Sequence, residues 1–168
     1  VALRTYGVNH SSVPGESLIC KDIREVSGRE LRRIIGRRRL DVLAGAPPCQ
    51  GFSSVGNRSK RSKLGKGVQE DRRNFLYEEF VRLAAELKPR LVLFENVPGM
   101  GSAKLQKKSF VELACKLLED AGYTTVVWKL DASLFGVPQL RSRIFVVGSR
   151  SKTLPYRRTG SGSRTRPT

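Results

Sequence analysis

Apolar residues fall into short blocks along this chain, and their spacing changes from block to block. Leu76, Phe80, Leu83, Ala84 and Leu87 recur every third or fourth position. That period predicts an amphipathic helix over Asn74 to Leu87, ended by Lys88-Pro89. Phe110, Leu113, Ala114, Leu117 and Leu118 mark a second helical face, closed by Gly122. Arg29 to Ile35 predicts a shorter helix, with Ser27 as N-cap and Gly36 as stop. Strand-like blocks lie between: Ser17 to Cys20, Leu40 to Ala46, Leu91 to Phe94, Thr124 to Leu130 and Arg143 to Gly148. Leu91-Val92-Leu93-Phe94 is apolar without a break, the pattern of a strand buried on both faces. Strands alternating with helices predict an α/β fold with a doubly wound, mostly parallel sheet. Ligands in such sheets collect at the carboxyl ends of the strands. Cys49 lies just past one such end and Glu95-Asn96 at the next.

Two segments have no hydrophobic period. Ser53 to Arg73 is rich in Gly, Ser, Lys and Arg and too long for an ordinary connection, which suggests a functional loop. Ser151 to Thr168 has little to bury and reads as a disordered basic tail. The expected organisation is one catalytic-type domain over residues 1–150 followed by that tail over 151–168.

Charge sharpens the picture. Among 168 residues, 32 are Lys or Arg and 15 are Asp or Glu, a net charge of +17. A field of that sign favours a polyanionic partner. Solvated basic surface is the plainer explanation of the same numbers. Three widely spaced cysteines, Cys20, Cys49 and Cys115, form no C-x-x-C pair, which argues against a zinc site or disulfide framework and for a reducing, cytoplasmic setting. No metal site is expected, and no apolar run is long enough to span a membrane.

The candidate chemistry starts at Cys49. Pro47-Pro48 stiffen the chain before it and Gly51 loosens it after. A free cysteine is by default a small core residue, as Cys20 and Cys115 are read here. The ordered set Pro47-Pro48-Cys49-Gln50-Gly51-Phe52-Ser53, then Glu95-Asn96-Val97, then Gln139-Leu140-Arg141-Ser142-Arg143, changes that default. These three stretches resemble, in order, the nucleophile turn, the Glu-Asn-Val element and the Gln-x-Arg-x-Arg element of the DNA cytosine-5 methyltransferases. Asp22-Ile23 resembles that family's cofactor-contacting Asp-Ile, and Asp71-Arg72-Arg73 the end of its mobile loop. The similarity runs from about Val1 to Arg150.

The resemblance implies an incomplete Rossmann-like methyltransferase fold and a reaction. Methyl would pass from S-adenosylmethionine to carbon 5 of cytosine, on a base flipped out of double-stranded DNA. Cysteine suits the task because its thiolate attacks well and leaves again. By this resemblance Cys49 adds to carbon 6 and Glu95 holds or protonates N3. Arg143 binds the O2 side and Arg141 braces the turn. Cofactor contacts would come from Asp22, Ile23, Pro48 and Leu76, with DNA or substrate contacts from Gln50, Ser53, Asn96, Gln139 and Arg73. The resemblance further implies a role in restriction–modification, a cytoplasmic or nucleoid location and a monomeric complete form. The family's opening Phe-x-Gly-x-Gly stretch is missing. So is a target-recognition region after Arg143. The chain is therefore expected to be the catalytic middle of a larger enzyme and inactive alone. Two alternatives stand beside this reading: a silent nucleic-acid-binding remnant, and a transfer-RNA cytosine-5 methyltransferase sharing the same turn.

Overall fold

A computed structural model describes residues 2–48, 75–105 and 107–151. Cys49, Gln50, Ser53, Arg73, the loop and the tail beyond Ser151 lie outside the described residues. Helix α1 spans Ala2–Asn9 and α2 Gly28–Ile35. Strand β1 spans Val42–Gly45 and helix α3 Leu76–Leu87. Strand β2 is Leu91–Asn96, α4 Gly99–Ser102, and β3 (Lys104–Leu105) and β4 (Lys108–Ser109) form a small hairpin. Helix α5 is Phe110–Asp120, followed by β5 (Thr124–Asp131) and β6 (Ser142–Ser149).

Local signals explain the helices. Ser27 accepts a hydrogen bond from Glu30 N, and Gly36 closes α2 at φ +70°, a conformation that favours glycine. Ser109 and Glu112 form a reciprocal capping box at the start of α5. Helix α3 ends where Lys88 turns left-handed before Pro89.

The main sheet has the order β1-β2-β6-β5. β1 and β2 pair in parallel, whereas β6 runs antiparallel to both β2 and β5. The α/β class thus holds, and β1, β2 and β5 share one direction, but β6 is reversed. The cause is the short β5–β6 connection, residues 132–141, because a parallel crossover needs about a dozen residues or more.

The core lies between this sheet and helices α3 and α5. Phe80, Ala84, Phe110, Ala114 and Leu118 pack on Val92, Phe94, Ile144 and Val146. Gly45 admits a close approach: a Cβ there would stand 2.6 Å from the Phe80 ring. Tyr123 sits with its hydroxyl 3.2 Å from Ala84 O and 3.1 Å from Pro89 O, tying the end of α3 to the start of β2.

Two expectations change. β2 alternates between buried and half-buried positions, with Leu91 and Leu93 on the less covered face, so it is not buried on both sides. Ser17 to Cys20 is not a strand: a 3₁₀ turn covers Gly15–Ser17 and the rest is irregular. β-like residues need a neighbouring ladder, and none among the described residues pairs with them. Cys20 is accordingly exposed rather than in the core.

Candidate active site

The parallel pair β1–β2 sends both chains out at the same edge of the sheet. Gly45 stands opposite Phe94 in register, so Ala46-Pro47-Pro48 leaves beside Glu95-Asn96. Asn96 is 2% exposed and uses both ends of its amide. Its Nδ2 donates to Pro47 O at 3.1 Å, and its Oδ1 accepts from Val97 N at 2.9 Å. A buried amide with both functions satisfied is a fixed strut. It anchors the main chain two residues before Cys49.

Glu95 projects to the sheet's other face, where β6 supplies its partner. Arg143 Nε lies 2.8 Å from Glu95 Oε1, with side-chain exposures of 22% and 30%. Arg143 Nη1 also donates to Ser142 O at 2.8 Å. Glu95 Oε2 and Arg143 Nη2 have no other partner among the described residues. The pair lines a cavity of about 300 Å³ with Arg141, Phe145, Leu130 and Phe135. An acid, two guanidinium groups and apolar walls suit a flat, polar-edged ligand.

The sequence reading missed Asp131, which lines the same cavity. Its Oδ1 accepts from Ser133 N (3.1 Å), Ser133 Oγ (2.7 Å) and Arg141 N (3.4 Å), and its Oδ2 accepts from Ser142 Oγ (2.6 Å). One carboxylate therefore ties the entry and exit of the segment 132–141. Those donors, Ser142 and Ser133 foremost, pull its pKa from 3.8 down to about 2. Asp131-Ala132-Ser133 is an Asp-led turn signature, and that signal could have flagged it.

The remaining candidates do not line this cavity. Asp22 caps the 3₁₀ turn Ile23–Glu25 and chelates its neighbour: Arg24 Nε donates to Oδ1 at 2.9 Å and Nη2 to Oδ2 at 2.6 Å. These donors lower its pKa well below the usual carboxylate range. The turn docks on α3 through Arg82, which donates to Ile23 O and Val26 O. Ile23 and Pro48 are exposed, and Leu76 is half-buried at the start of α3. Gln139 is exposed, its N–H donating to Val137 O at 2.7 Å. Cys115 is half-buried in α5, and burial pushes its thiol pKa up, consistent with an inert core cysteine. His10 is exposed, its ring 4.2 Å from that of Tyr6. No cluster of metal-ligating residues occurs among the described residues. No helix among them is long and apolar enough to cross a membrane.

Comparisons with known proteins converge. The family model described as C-5 cytosine-specific DNA methylase matches residues 1–163. The type II methyltransferase M.XorII of Xanthomonas oryzae pv. oryzae is 38% identical over 146 residues, covering 84% of this chain and 32% of that protein. M1.HphI of Haemophilus parahaemolyticus, another type II methyltransferase, is 36% identical over 146 residues, 87% of this chain and 36% of that protein. The chain thus spans about a third of the length of the curated relatives it matches. The crystal structure of a Spodoptera frugiperda DNMT2 mutant superposes with a TM-score of 0.65 at 21% identity, covering 94% of this chain and 42% of that one, a likeness of fold.

Proposed function

The chain belongs to the C-5 cytosine-specific DNA methylases, and from that premise we propose that it carries the thiol-presenting and base-holding core of a DNA cytosine-5 methyltransferase. One observation supports this most directly. Asn96 ties the Pro47 carbonyl to the end of β2, next to the Glu95–Arg143 pair. The main chain two residues before position 49 is thereby held at the edge that carries the Glu95 carboxylate, which supports this reading.

In this reading the Cys49 thiolate adds to carbon 6 of a flipped cytosine. Negative charge then builds toward N3 and O2. Glu95 delivers a proton at N3, and the Arg143 guanidinium binds O2 while its Nε keeps the carboxylate in place. Carbon 5 becomes enamine-like. Once carbon 5 has accepted a methyl group, loss of its proton to a solvent base and return of the N3 proton to Glu95 expel Cys49 as thiolate and restore the ring as 5-methylcytosine. Asp131 holds Arg141 and Ser142, and through them the spacing of the two arginines. When bound, S-adenosylmethionine supplies an electrophilic methyl group on sulfonium. The residues present fit its adenosine half: Ile23 and Pro48 offer exposed apolar surface and Leu76 a half-buried one, and Asp22 Oδ2 keeps lone-pair capacity beyond the single bond from Arg24. Double-stranded DNA is the proposed substrate, with Gln50, Ser53, Arg73 and Gln139 proposed to contact it.

The test is covalent capture. A duplex with 5-fluorocytosine in place of cytosine holds the adduct, because fluorine cannot leave as the proton does. With S-adenosylmethionine present, the chain and the longest reading frame containing it are run on denaturing gels. A denaturation-resistant complex is expected in the active polypeptide and is lost in Cys49→Ser. An adduct that survives the substitution, or no adduct where methylation is measurable, overturns the proposal.

A further inference from the structure

The opposite edge of the sheet is also charged, and nothing in the reading above uses it. Arg37, Arg38 and Arg39 precede β1, Lys88 and Arg90 precede β2, and Arg150 follows the reversed strand β6. Strand direction therefore brings all six to the end of the sheet away from Glu95. Main-chain bonds fix them side by side: Arg90 N donates to Leu40 O at 3.2 Å, and Arg150 N to Arg90 O at 3.0 Å. All six are exposed. Arg90 pairs with Asp41, Arg38 reaches Ile35 O, and Arg150 lies over the Tyr123 ring. Arg37, Arg39 and Lys88 have no side-chain partner among the described residues. The nearby acids are few, and they are engaged: Asp41 with Arg90, Asp120 with Lys116, and Glu119 with Thr125 Oγ1.

We propose that this edge is a second nucleic-acid surface that takes the phosphate backbone of duplex DNA, separate from the edge carrying Glu95. Three features support it. Helices α2, α3 and α5 end here, but each helix C-terminus carries only about half a negative charge, so the three together fall short of six cations. Five of the six are arginines, whose planar forks match phosphate oxygens in pairs. Arg37, Arg39 and Lys88 have no acidic side chain paired with them among the described residues. β2 is six residues long, so the two edges stand roughly 20 Å apart at about 3.3 Å per residue. The choice of duplex DNA over other polyanions rests on the function proposed above; the surface itself does not.

The experiment measures binding of a fluorescent duplex by the full chain across a salt series. The variant R37Q/R38Q/R39Q is compared with R4Q/R29Q/K129Q, which removes equal charge elsewhere, and circular dichroism checks that both fold. Each lost phosphate contact lowers the slope of log K against log salt by about 0.9. The expected result is a fall of about 2 to 3 in slope for the edge variant and under about 1 for the other. Equal falls in the two, or no fall in the edge variant, overturn the proposal. So does a single-stranded RNA or a poly-glutamate chain that competes as well as duplex at equal charge. No methyl transfer enters the readout, so its failure is distinct from failure of the covalent-capture test.

Discussion

Two ion pairs flank strand β2 and behave differently. At its carboxyl end, Glu95 and Arg143 meet at 2.8 Å with side chains 30% and 22% exposed. At its amino end, Arg90 and Asp41 meet at 3.2 Å with side chains 65% and 66% exposed. Distance alone barely separates them. Their surroundings do: the first pair lines a cavity with apolar walls, and the second faces solvent that screens it. The first edge holds each polar group against a named neighbour, as with Asn96, Glu95 and Asp131. The second leaves cations free to meet something else.

Substitutions sharpen that contrast. Glu95→Gln keeps shape but loses proton exchange, and methyl transfer is expected to fall about 100- to 10,000-fold. Single-turnover kinetics with the active polypeptide reads this, and a twofold change would make Glu95 structural. Asn96→Ala strands the Pro47 carbonyl and Val97 N–H in a half-buried place. It is expected to lower stability by about 1–3 kcal/mol, seen as a lower urea midpoint. Asp131→Ala removes every side-chain bond from position 131 to the segment 132–141, whereas Asp131→Asn keeps the Oδ1 acceptor and its Nδ2 can donate to Ser142 Oγ. The alanine variant is therefore expected to melt below the asparagine one. The pH dependence has a definite sign. Asp131 has its pKa lowered from 3.8 to about 2, so its charged form stabilises the fold above the ordinary value and that contribution fades as pH falls through about 2. The gap between wild type and Asp131→Asn in thermal melts is expected to shrink as pH drops. Arg90→Gln removes the exposed pair and is expected to change stability by no more than about 0.5 kcal/mol. A larger loss would mean the two ends of β2 are less different than their exposures say.

Much of the fold was legible in the sequence because it is locally encoded. Ser27, Gly36 and the Ser109–Glu112 box are caps that announce helix ends. β5 and β6 were visible as β-branched runs. The reversal of β6 was not, since direction depends on the length of a connection and not on any residue in the strand. The Ser17 to Cys20 run shows the converse: strand-like residues without a neighbouring strand. At the site, Glu95, Asn96 and Arg143 stand out through the resemblance of Glu95-Asn96-Val97 and Gln139 to Arg143 to the family's elements. The structure adds what no spacing could state, namely that Asn96 reaches Pro47 and that Arg143 reaches Glu95. Cys49 lies outside the described residues, so the anchored carbonyl of Pro47 is the structural part of its case. Asp131 went unseen because its partners are spread across both ends of a ten-residue excursion.

The bond from Asn96 to Pro47 is asymmetric in what it demands of the genetic code. At position 47 the acceptor is a main-chain carbonyl, which every amino acid supplies, so this link places no limit on which side chain stands there. At position 96 the same link needs a donor and an acceptor on one short side chain. Aspartate lacks the donor, serine cannot span both groups, and glutamine is one methylene too long. A single coupling thus leaves one of its two codons open to drift and admits one amino acid at the other.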